Sequence, residues 1–401
     1  MKYDFTSLME RKGQDAMALD AVGAGGFGPG APLDGYDVIP MWVADMNFPT
    51  CPSVLQAMMG RLAQPHFGYF NIRKEYYSGI IDWHKKRNGV TGLTPECIGY
   101  ENGVLGGVAS AIRAFASPGD RILLHSPTYI GFTHSIEESG YHIILSELKR
   151  DEEGIWRMNY EDMDRKIREN GIHVAVFCNP HNPTGRVWEK EELEKALEVY
   201  RKNDCIVISD EIWSDIILDG HRHIPLQSVN EDAKKRVIAL YSASKTFSLA
   251  GLIGSYHIIY DSYLRDRVRS AAAKTHYNSI NILSMYAQIG AASPEGMEWV
   301  DELCAVLSKN VDYAYQHICA HYDGIELAKP QGTYMLFADC SGYCEKAGMT
   351  IDQLLREGWN RGVAWQDGRP FHGSSSIRIN LASPYSRIEE AFRRLDQFLI
   401  I

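Results

Sequence analysis

The feature that most limits the fold of this chain is an alternation of short apolar runs with amphipathic stretches of helical period, which begins near residue 95. Candidate helices lie near residues 104–116, 130–139, 160–170, 189–203 and 262–276. The apolar runs between them are candidate strands: Arg121–His125, His142–Ser146, His173–Cys178, Cys205–Ser209, Val237–Tyr241 and Ser255–Ile259. Strands that are apolar on both faces predict an α/β fold, with a mostly parallel sheet covered by helices on both sides.

The pattern changes near residue 295, where a long candidate helix (295–321) is followed by short strands and helices. The later candidates are the strands Thr333–Ala338 and Ser376–Leu381 and the helices 350–361 and 386–400. This pattern is typical of a smaller α+β domain. A Gly-rich string at residues 21–32 predicts an irregular N-terminal arm. We therefore expect three regions: 1–50 (arm and part of the small domain), 51–294 (large domain) and 295–401 (small C-terminal domain).

Charge and composition argue against several classes of partner. The 41 basic residues are outnumbered by 51 acidic ones, for a net charge of -10, and they form no basic run, so we expect no nucleic-acid or membrane partner. The N-terminus is charged and lacks the apolar core of a signal peptide, which predicts a cytoplasmic protein. The eight cysteines include no C-x-x-C pair, and we expect no metal site.

Two predicted strands end in residues suited to covalent and ionic chemistry. The strand Val237–Tyr241 leads into a turn of small residues that presents Lys245. A partly desolvated lysine is a nucleophile able to form a Schiff base, and the alternative is a surface loop lysine. Asp210 ends another buried strand. A carboxylate there pairs well with a protonated ring nitrogen, and the alternative is a helix cap.

Two turns add polar groups at the ends of other strands. The string Asn179–Gly185 contains two Asn-Pro steps and a Thr-Gly step, which force a specific turn from which an asparagine amide can donate to a ligand. The string Asn102–Gly107 opens a helix, and the free N–H groups of a helix start suit a phosphate. Ser242 has a hydroxyl that can serve the same phosphate. No G-x-G-x-x-G dinucleotide fingerprint is present at this helix start.

An aromatic and a basic side chain complete the candidate set. Tyr129 follows the strand that ends near His125 and can stack on a planar ring, or it can be a core tyrosine. Arg378 lies in the apolar run Ser376–Asn380. Because an unpaired guanidinium is costly to bury, it needs an anion, either a substrate carboxylate or a structural ion-pair partner.

The order and spacing of these residues resemble the fold-type I enzymes that depend on pyridoxal 5'-phosphate (PLP), the aspartate aminotransferase superfamily, from about residue 35 onward. The resemblance implies a large domain with a seven-stranded, mostly parallel sheet and a smaller C-terminal domain. It implies that Lys245 binds PLP as a Schiff base, that Asp210 pairs with the pyridine nitrogen and that Asn182 bonds the phenolic oxygen.

The same resemblance assigns roles to further residues. It implies that Tyr129 stacks on the ring and that Trp213 stands where many aminotransferases have a tyrosine near the phenolic oxygen. It implies a phosphate site at the helix start and a substrate site near the arginine: Gly103, Val104, Leu105 and Ser242 for phosphate, and Arg378, Ala44 and Asn182 for substrate.

Three features resemble the MalY/PatB group of cystathionine β-lyases in particular. These are the strings Pro40–Phe48, Phe67–Tyr69 and Trp83–Arg87. In addition, Ile253 stands eight positions after the lysine, where aminotransferases of the superfamily usually carry a phosphate-binding arginine. In the group, the tyrosine that matches Tyr69 reaches into the neighbouring subunit's site, so the resemblance implies a homodimer with composite active sites and a catalytic and cofactor-binding role for Tyr69. The alternative is that Tyr69 is a core residue.

The resemblance implies a PLP-dependent C-S β-lyase that cleaves cystathionine or a related cysteine S-conjugate to a thiol, pyruvate and ammonia. Lys245 would remove the α-proton, and Arg378 would orient the substrate carboxylate. Two alternatives stay open at this point. One is a class I/II aminotransferase with the same cofactor, and the other is a regulatory, partner-binding protein that retains a lyase site.

Overall fold

The computed structural model describes residues 1–275 and 279–400. The strands, in chain order, are β1 (Ile39–Pro40), β2 (Ile98–Asn102), β3 (Arg121–Ser126), β4 (His142–Glu147), β5 (Lys149–Arg150), β6 (Trp156–Arg157), β7 (Val174–Cys178), β8 (Ile206–Asp210), β9 (Val237–Tyr241), β10 (Gly254–Ile258), β11 (Glu326–Leu327), β12 (Met335–Asp339), β13 (Val363–Ala364), β14 (Gln366–Asp367) and β15 (Ser376–Asn380).

The helices surround these strands. In chain order they are α1 (Met17–Asp20), α2 (Pro52–Leu62), α3 (Lys74–Asn88), α4 (Val104–Phe115), α5 (Ile130–Glu137), α6 (Tyr160–Asn170), α7 (Lys190–Lys202), α8 (Ala233–Arg236), α9 (Ser262–Ala273), α10 (Ile282–Ala291), α11 (Pro294–His321), α12 (Ser341–Ala347), α13 (Ile351–Asn360) and α14 (Tyr385–Leu399). The predicted helix 262–276 corresponds to α9, and its last predicted residue lies outside the described part of the chain.

The main sheet has seven strands in the order β2-β10-β9-β8-β7-β3-β4. All neighbouring pairs from β9 to β4 are parallel, and β10 pairs antiparallel with both β9 and β2. Six strands therefore run in one direction and only β10 runs against them. As a result, the carboxyl ends of the six strands meet at one edge of the sheet, together with the amino end of β10.

Both faces of this sheet are covered by hydrophobic clusters. Successive side chains of each strand point to opposite sides, so they enter different clusters. On β3, Ile122 and Leu124 pack into one hydrophobic cluster with α4, while Leu123 packs into another with α7. On β9, Ile238 and Leu240 join the first cluster and Ala239 joins the second. This two-sided burial explains why the strands are continuous apolar runs in the sequence.

A second, antiparallel sheet of four strands, β11-β12-β15-β14, lies in the C-terminal part of the chain. The two-residue strand β1 pairs in parallel with β13, so the N-terminal residues attach to this part of the molecule. The division at residues 50 and 294 stays a prediction, although α11 begins at Pro294 with Ser293 as its cap.

One strand of the main sheet has no clear sequence signal. The strand β2 contains Gly99, Glu101 and Asn102, which are unfavourable in a buried strand. Glu101 is buried because His257 on the paired strand β10 bonds its carboxylate at 2.8 Å. Gly99 is required because any Cβ there would lie 2.2 Å from the His257 ring.

No helix within residues 1–275 and 279–400 is both long and apolar enough to cross a bilayer.

Candidate active site

The carboxyl edge of the main sheet gathers most of the predicted site residues around one cavity of about 230 Å³. The end of β8 contributes Asp210, the turn after β9 contributes Lys245, and the turn after β7 contributes Asn182. The amino end of the antiparallel β10 reaches the same place. The cavity is lined by Ala44, Gly103, Val104, Leu105, Tyr129, Asn182, Asp210, Ile212, Trp213, Ser242, Ser244, Lys245, Ala250, Ile253 and Gly254.

Lys245 is a partly buried amine with a backbone acceptor and no carboxylate in hydrogen-bonding contact in the described residues. Its Nζ donates to the Ala44 carbonyl at 2.9 Å. Burial and the nearby Arg378 lower the pKa of Lys245 to about 8, while Asp45 and Asp210 act in the opposite direction. About a tenth of this amine is therefore uncharged at pH 7, and the uncharged form is the nucleophile.

Asp210 is a buried carboxyl group that lines the cavity at the end of β8. Its Oδ1 accepts the backbone N–H of Ile212 at 3.0 Å. Burial raises the pKa of Asp210 to about 7, with a further increase from Glu211 and a decrease from the Ile212 N–H and Lys245. A carboxyl group in this state gains stability as an anion only when a cation enters the cavity.

Arg378 is buried, with 3% of its surface exposed, and forms no salt bridge with any carboxylate of residues 1–275 and 279–400. Its guanidinium donates only to neutral oxygens: Asn182 Oδ1 at 3.2 Å, the Trp42 carbonyl at 3.1 Å and Gln366 Oε1 at 2.5 Å. Its Nε is buried with no hydrogen-bond partner. Burial lowers the pKa of Arg378 to about 10. The alternative that Arg378 forms a structural ion pair is therefore wrong for the described residues.

Asn182 is fixed by the same arginine. Because its Oδ1 accepts from Arg378, the amide nitrogen is the group that remains to donate to a ligand. The backbone N–H of Asn182 donates to the Cys178 sulfur at 3.4 Å, which ties the turn back to the end of β7.

The predicted phosphate position lies at the start of α4. Gly103 precedes the helix with φ +77, a left-handed conformation that favours glycine, and Gly103, Val104 and Leu105 all line the cavity. The Ser242 hydroxyl donates to the Gly254 carbonyl at 2.5 Å and accepts from the Ser244 N–H at 3.1 Å. A bond from Ser242 to a phosphate therefore requires its hydroxyl to rotate.

Two aromatic residues form walls of the cavity. Tyr129 lies at the start of α5, with its ring 5.4 Å from that of Phe132 in an edge-on arrangement. Trp213 is 1% exposed and its ring meets the edge of Tyr334 at 4.7 Å. Flat, rigid walls of this kind suit a planar ring.

Tyr69 lies apart from the cavity in this chain. It belongs to the irregular segment between α2 and α3, and its side chain is completely exposed. The alternative that Tyr69 is a core residue is therefore wrong.

The family model for aminotransferase class I and II matches residues 36–395. The chain belongs to this family. It is 30% identical over 361 residues to cystathionine β-lyase PatB of Bacillus subtilis, which covers 90% of this chain and 92% of that protein. It is 28% identical over 397 residues to protein MalY of Escherichia coli, with 97% and 96% covered. The PLP-bound C-S lyase of Staphylococcus hominis superimposes with a TM-score of 0.90 and 28% identity, with 100% and 99% covered. The predicted family and fold class are confirmed.

The residues of this family member fit the PLP cofactor that the sequence resemblance implies. The cavity presents a nucleophilic amine, a buried carboxyl group without a cation, flat aromatic walls and a helix N-terminus. The amine would bind the aldehyde of PLP, and the carboxyl group would pair with the ring nitrogen. The aromatic walls suit the ring, and the helix N-terminus suits the phosphate. Among the described residues that line the cavity, Lys245 is the sole basic side chain, so none of these lining residues is an arginine that would hold a phosphate.

Several residues at the site were not predicted. Ser244 and Ile212 line the cavity next to predicted residues, so their proximity along the chain was the available signal. Asn380 lies two residues after Arg378 and therefore on the same face of β15, which is also a readable signal. Gln366 meets Arg378 through the pairing of β14 with β15, and nothing in the local sequence indicates that pairing.

Proposed function

We propose that this chain is a PLP-dependent C-S β-lyase acting on an amino acid with a sulfur leaving group on its β-carbon, such as cystathionine or another cysteine S-conjugate. One observation carries the proposal: the cavity combines the Lys245 amine, the Asp210 carboxyl group and the nearby unpaired Arg378, and Ile253 occupies the position of the aminotransferase arginine. The relatives PatB and the Staphylococcus hominis protein are named for this class of reaction.

Bound PLP supplies a ring that accepts the electron pair of the substrate α-carbon. The side chains of this chain divide the work of holding it. We assign Asp210 to the ring nitrogen, Asn182 to the phenolic oxygen and Tyr129 to the ring face. We assign the phosphate to the N-terminus of α4 and its neighbour across the turn: Gly103, Val104, Leu105 and Ser242.

The substrate contacts follow from the unpaired groups. Arg378 has an unsatisfied Nε and only neutral partners, so a carboxylate gives it the anion it lacks. Ala44 contributes backbone groups on the same side, and its carbonyl already accepts from Lys245. With a substrate in place, the Lys245 amine moves the proton from the α-carbon. A lowered pKa suits this role because an uncharged amine is the form that accepts a proton.

The aminotransferase alternative is favoured by the family model itself, whose description names that activity. It is opposed by Ile253, which places an apolar, half-exposed side chain at the phosphate end of the cavity. A transaminase must return its cofactor to the starting form with a second substrate, whereas a lyase completes its cycle with one. The two reactions therefore differ in their requirement for an amino acceptor.

Product analysis with the purified, PLP-loaded protein and cystathionine tests the proposal. We expect pyruvate, ammonia and a thiol in equal amounts without any added keto acid. The Lys245→Ala variant is the control and should form none of them. Formation of a keto acid only when an amino acceptor is added would contradict the proposal and establish the aminotransferase alternative.

We also propose that the active unit is a homodimer whose sites are completed by Tyr69 of the neighbouring copy. Leu55, Met59 and Leu62 are exposed at positions i, i+4 and i+7 of α2, so they form one apolar face. Phe67 and Tyr69 are exposed directly after it. Sedimentation should give twice the chain mass of 45.2 kDa, and a monomer that retains full activity would contradict the composite site. The cytoplasmic location stays a prediction.

A further inference from the structure

The segment Trp42–Asp45 lies against the candidate site, and every one of its carbonyl groups accepts a side-chain hydrogen bond. The Trp42 carbonyl accepts from Arg378 at 3.1 Å, and the Ala44 carbonyl accepts from Lys245 at 2.9 Å. The carbonyls on either side of Ala44, those of Val43 and Asp45, both accept from Asn380 Nδ2, at 2.6 and 2.7 Å. This irregular segment is thus held by side chains instead of by a sheet or a helix.

Asn380 is the centre of this arrangement. It is 2% exposed, and its two amide hydrogens go to the two carbonyls that flank Ala44. Its Oδ1 accepts the Ala382 N–H at 2.7 Å, which fixes the direction of the amide. A buried amide with all its groups satisfied has one favourable orientation, so it fixes the backbone that it binds.

Arg11, which lies in the N-terminal arm, binds the carboxyl end of the Trp42–Asp45 segment. Its Nη2 forms a short ion pair with the Asp45 carboxylate. Its Nη1 donates to the Met46 carbonyl at 3.0 Å and to Asn47 Oδ1 at 2.7 Å. Both members of the ion pair are largely buried, with 19% and 26% of their side chains exposed. Arg11 therefore sets the position of a charge that acts on Lys245.

We propose that Asn380 and Arg11 are positioning residues that hold the Trp42–Asp45 segment in the shape that presents the Ala44 carbonyl to Lys245 and the Trp42 carbonyl to Arg378. The proposal rests on the proposed function, because it assigns these two residues to the groups that move the proton and bind the carboxylate. Neither residue touches the reacting atoms. Each acts through the backbone that it holds.

Loss of this support affects the amine more than the affinity for substrate. The ε-amine of Lys245 loses a fixed acceptor, and water gains access to a group whose pKa is lowered mainly by burial. The charged groups that act on Lys245 are Arg378 on β15, Asp45 in the segment and Asp210 at the end of β8. Because burial is the dominant cause, water entry should move the pKa of Lys245 upward.

The chain offers a matched control for Asn380. Asn310 on α11 is also fully buried, and its Nδ2 also donates to two backbone carbonyls, those of Leu381 and Ser383, at 2.9 and 2.8 Å. Those carbonyls belong to the turn after β15 and not to the Trp42–Asp45 segment. Asn380→Ala and Asn310→Ala thus remove the same kind of contact, and only the first removes direct hydrogen bonds to the Trp42–Asp45 segment.

The test compares both variants with the wild-type holoenzyme on kcat, on KM for cystathionine, and on the pH profile of PLP capture by the cofactor-free protein. We expect Asn380→Ala to lower kcat by about 10- to 100-fold, with a smaller change in KM, since small misplacements of reacting groups cost rates of this size. We expect its capture profile to shift to higher pH. Asn310→Ala should lose thermal stability but keep kcat and the capture profile close to wild type.

A second pair of variants keeps the test decisive if Asn380→Ala does not fold. Arg11→Met should lower kcat in the same direction, and Arg11→Lys should recover part of the loss because it keeps the charge beside Asp45. The proposal is overturned if Asn380→Ala, or Arg11→Met in its place, matches Asn310→Ala in capture profile.

The capture profile also separates this proposal from the proposed function. It follows the visible absorption of bound PLP and needs no turnover. If the wild-type protein does not cleave cystathionine, the lyase proposal fails, while a capture profile that shifts in Asn380→Ala and not in Asn310→Ala still supports the positioning role. An unshifted profile overturns that role whatever the activity.

Discussion

Two buried arginines in this molecule have opposite surroundings. Arg186, after the turn that carries Asn182, is 3% exposed and forms ion pairs with Glu192 at 2.5 Å and Glu189 at 3.0 Å. Arg378, at the candidate site, is equally buried and has no carboxylate partner within residues 1–275 and 279–400. The first cation is balanced by the fold, and the second is not.

We interpret Arg186 as a structural charge and Arg378 as a charge that binds a ligand. Burying an unpaired cation costs several kcal/mol, so a fold that keeps one needs a compensating anion from elsewhere. Two adjacent carboxylates repeat the comparison. Glu211 accepts from Ser209 at 2.7 Å and from the Leu226 N–H at 3.0 Å, whereas Asp210 next to it faces the cavity. In both pairs, the group at or beside the cavity has fewer partners within the described residues, and we propose that this group contacts the ligand.

The largest effects should come from separate substitutions of the two arginines. Arg378→Ala should lower kcat/KM for substrates with an α-carboxylate by about 100- to 1,000-fold, the value of one or two charge-assisted hydrogen bonds. Its free energy of unfolding without substrate should change little, because an unpaired buried cation is removed. Steady-state kinetics and denaturant unfolding check the two expectations.

Arg186→Ala is the matched control and should show the reverse. It breaks a buried ion pair and leaves Arg157, at 3.0 Å, as the remaining cation beside Glu192, so we expect a loss of stability at the low end of the about 3–5 kcal/mol typical of a broken buried pair. The kcat/KM of the folded fraction should change far less than in Arg378→Ala. The comparison fails if Arg378→Ala loses stability and keeps its kcat/KM.

The sequence identified the chemistry of the site better than its support. Lys245, Asp210 and Asn182 follow predicted strands, and parallel strands bring their carboxyl ends to one edge, so their meeting follows from the fold class. The resemblance to the superfamily then assigned the cofactor and the roles of these residues. The family comparisons support the cofactor and the lyase class, while the individual roles stay proposals.

The parts that were missed depend on contacts between distant segments. The strand β2 was not identified because Gly99 and Glu101 suit their places only through His257 on β10. Gln366 reaches Arg378 only through strand pairing, and Arg11 and Asp45 are 34 residues apart in the sequence. Neither local propensity nor periodicity encodes such pairings.

A smaller effect, which depends on pH, sharpens the comparison between Asp210 and a paired carboxylate. In the cofactor-free protein the pKa of Asp210 is raised from 3.8 to about 7, so the folded state binds more protons than the unfolded state across this range. Its contribution to stability is therefore present below pH 4 and is lost as the pH rises to about 7. The loss amounts to about 2–4 kcal/mol.

Asp210→Asn isolates this contribution. Without cofactor, the variant should be as stable as the wild type at pH 4 and more stable at pH 8. With PLP bound, the order at pH 8 should reverse, because the wild-type carboxylate then has a ring cation as partner. Thermal unfolding with and without PLP at the two pH values measures the effect, and an unchanged order on adding PLP would argue against the assigned role of Asp210.

We propose that Lys245 holds the cofactor covalently in the cavity at the sheet edge. Borohydride reduction of the PLP-loaded protein, followed by peptide mass mapping, measures this directly. We expect a pyridoxyl group on the peptide that contains Lys245 and its absence from Lys245→Ala. A label on a different lysine, or a yellow protein with no reducible bond, would contradict the proposed bond between Lys245 and PLP.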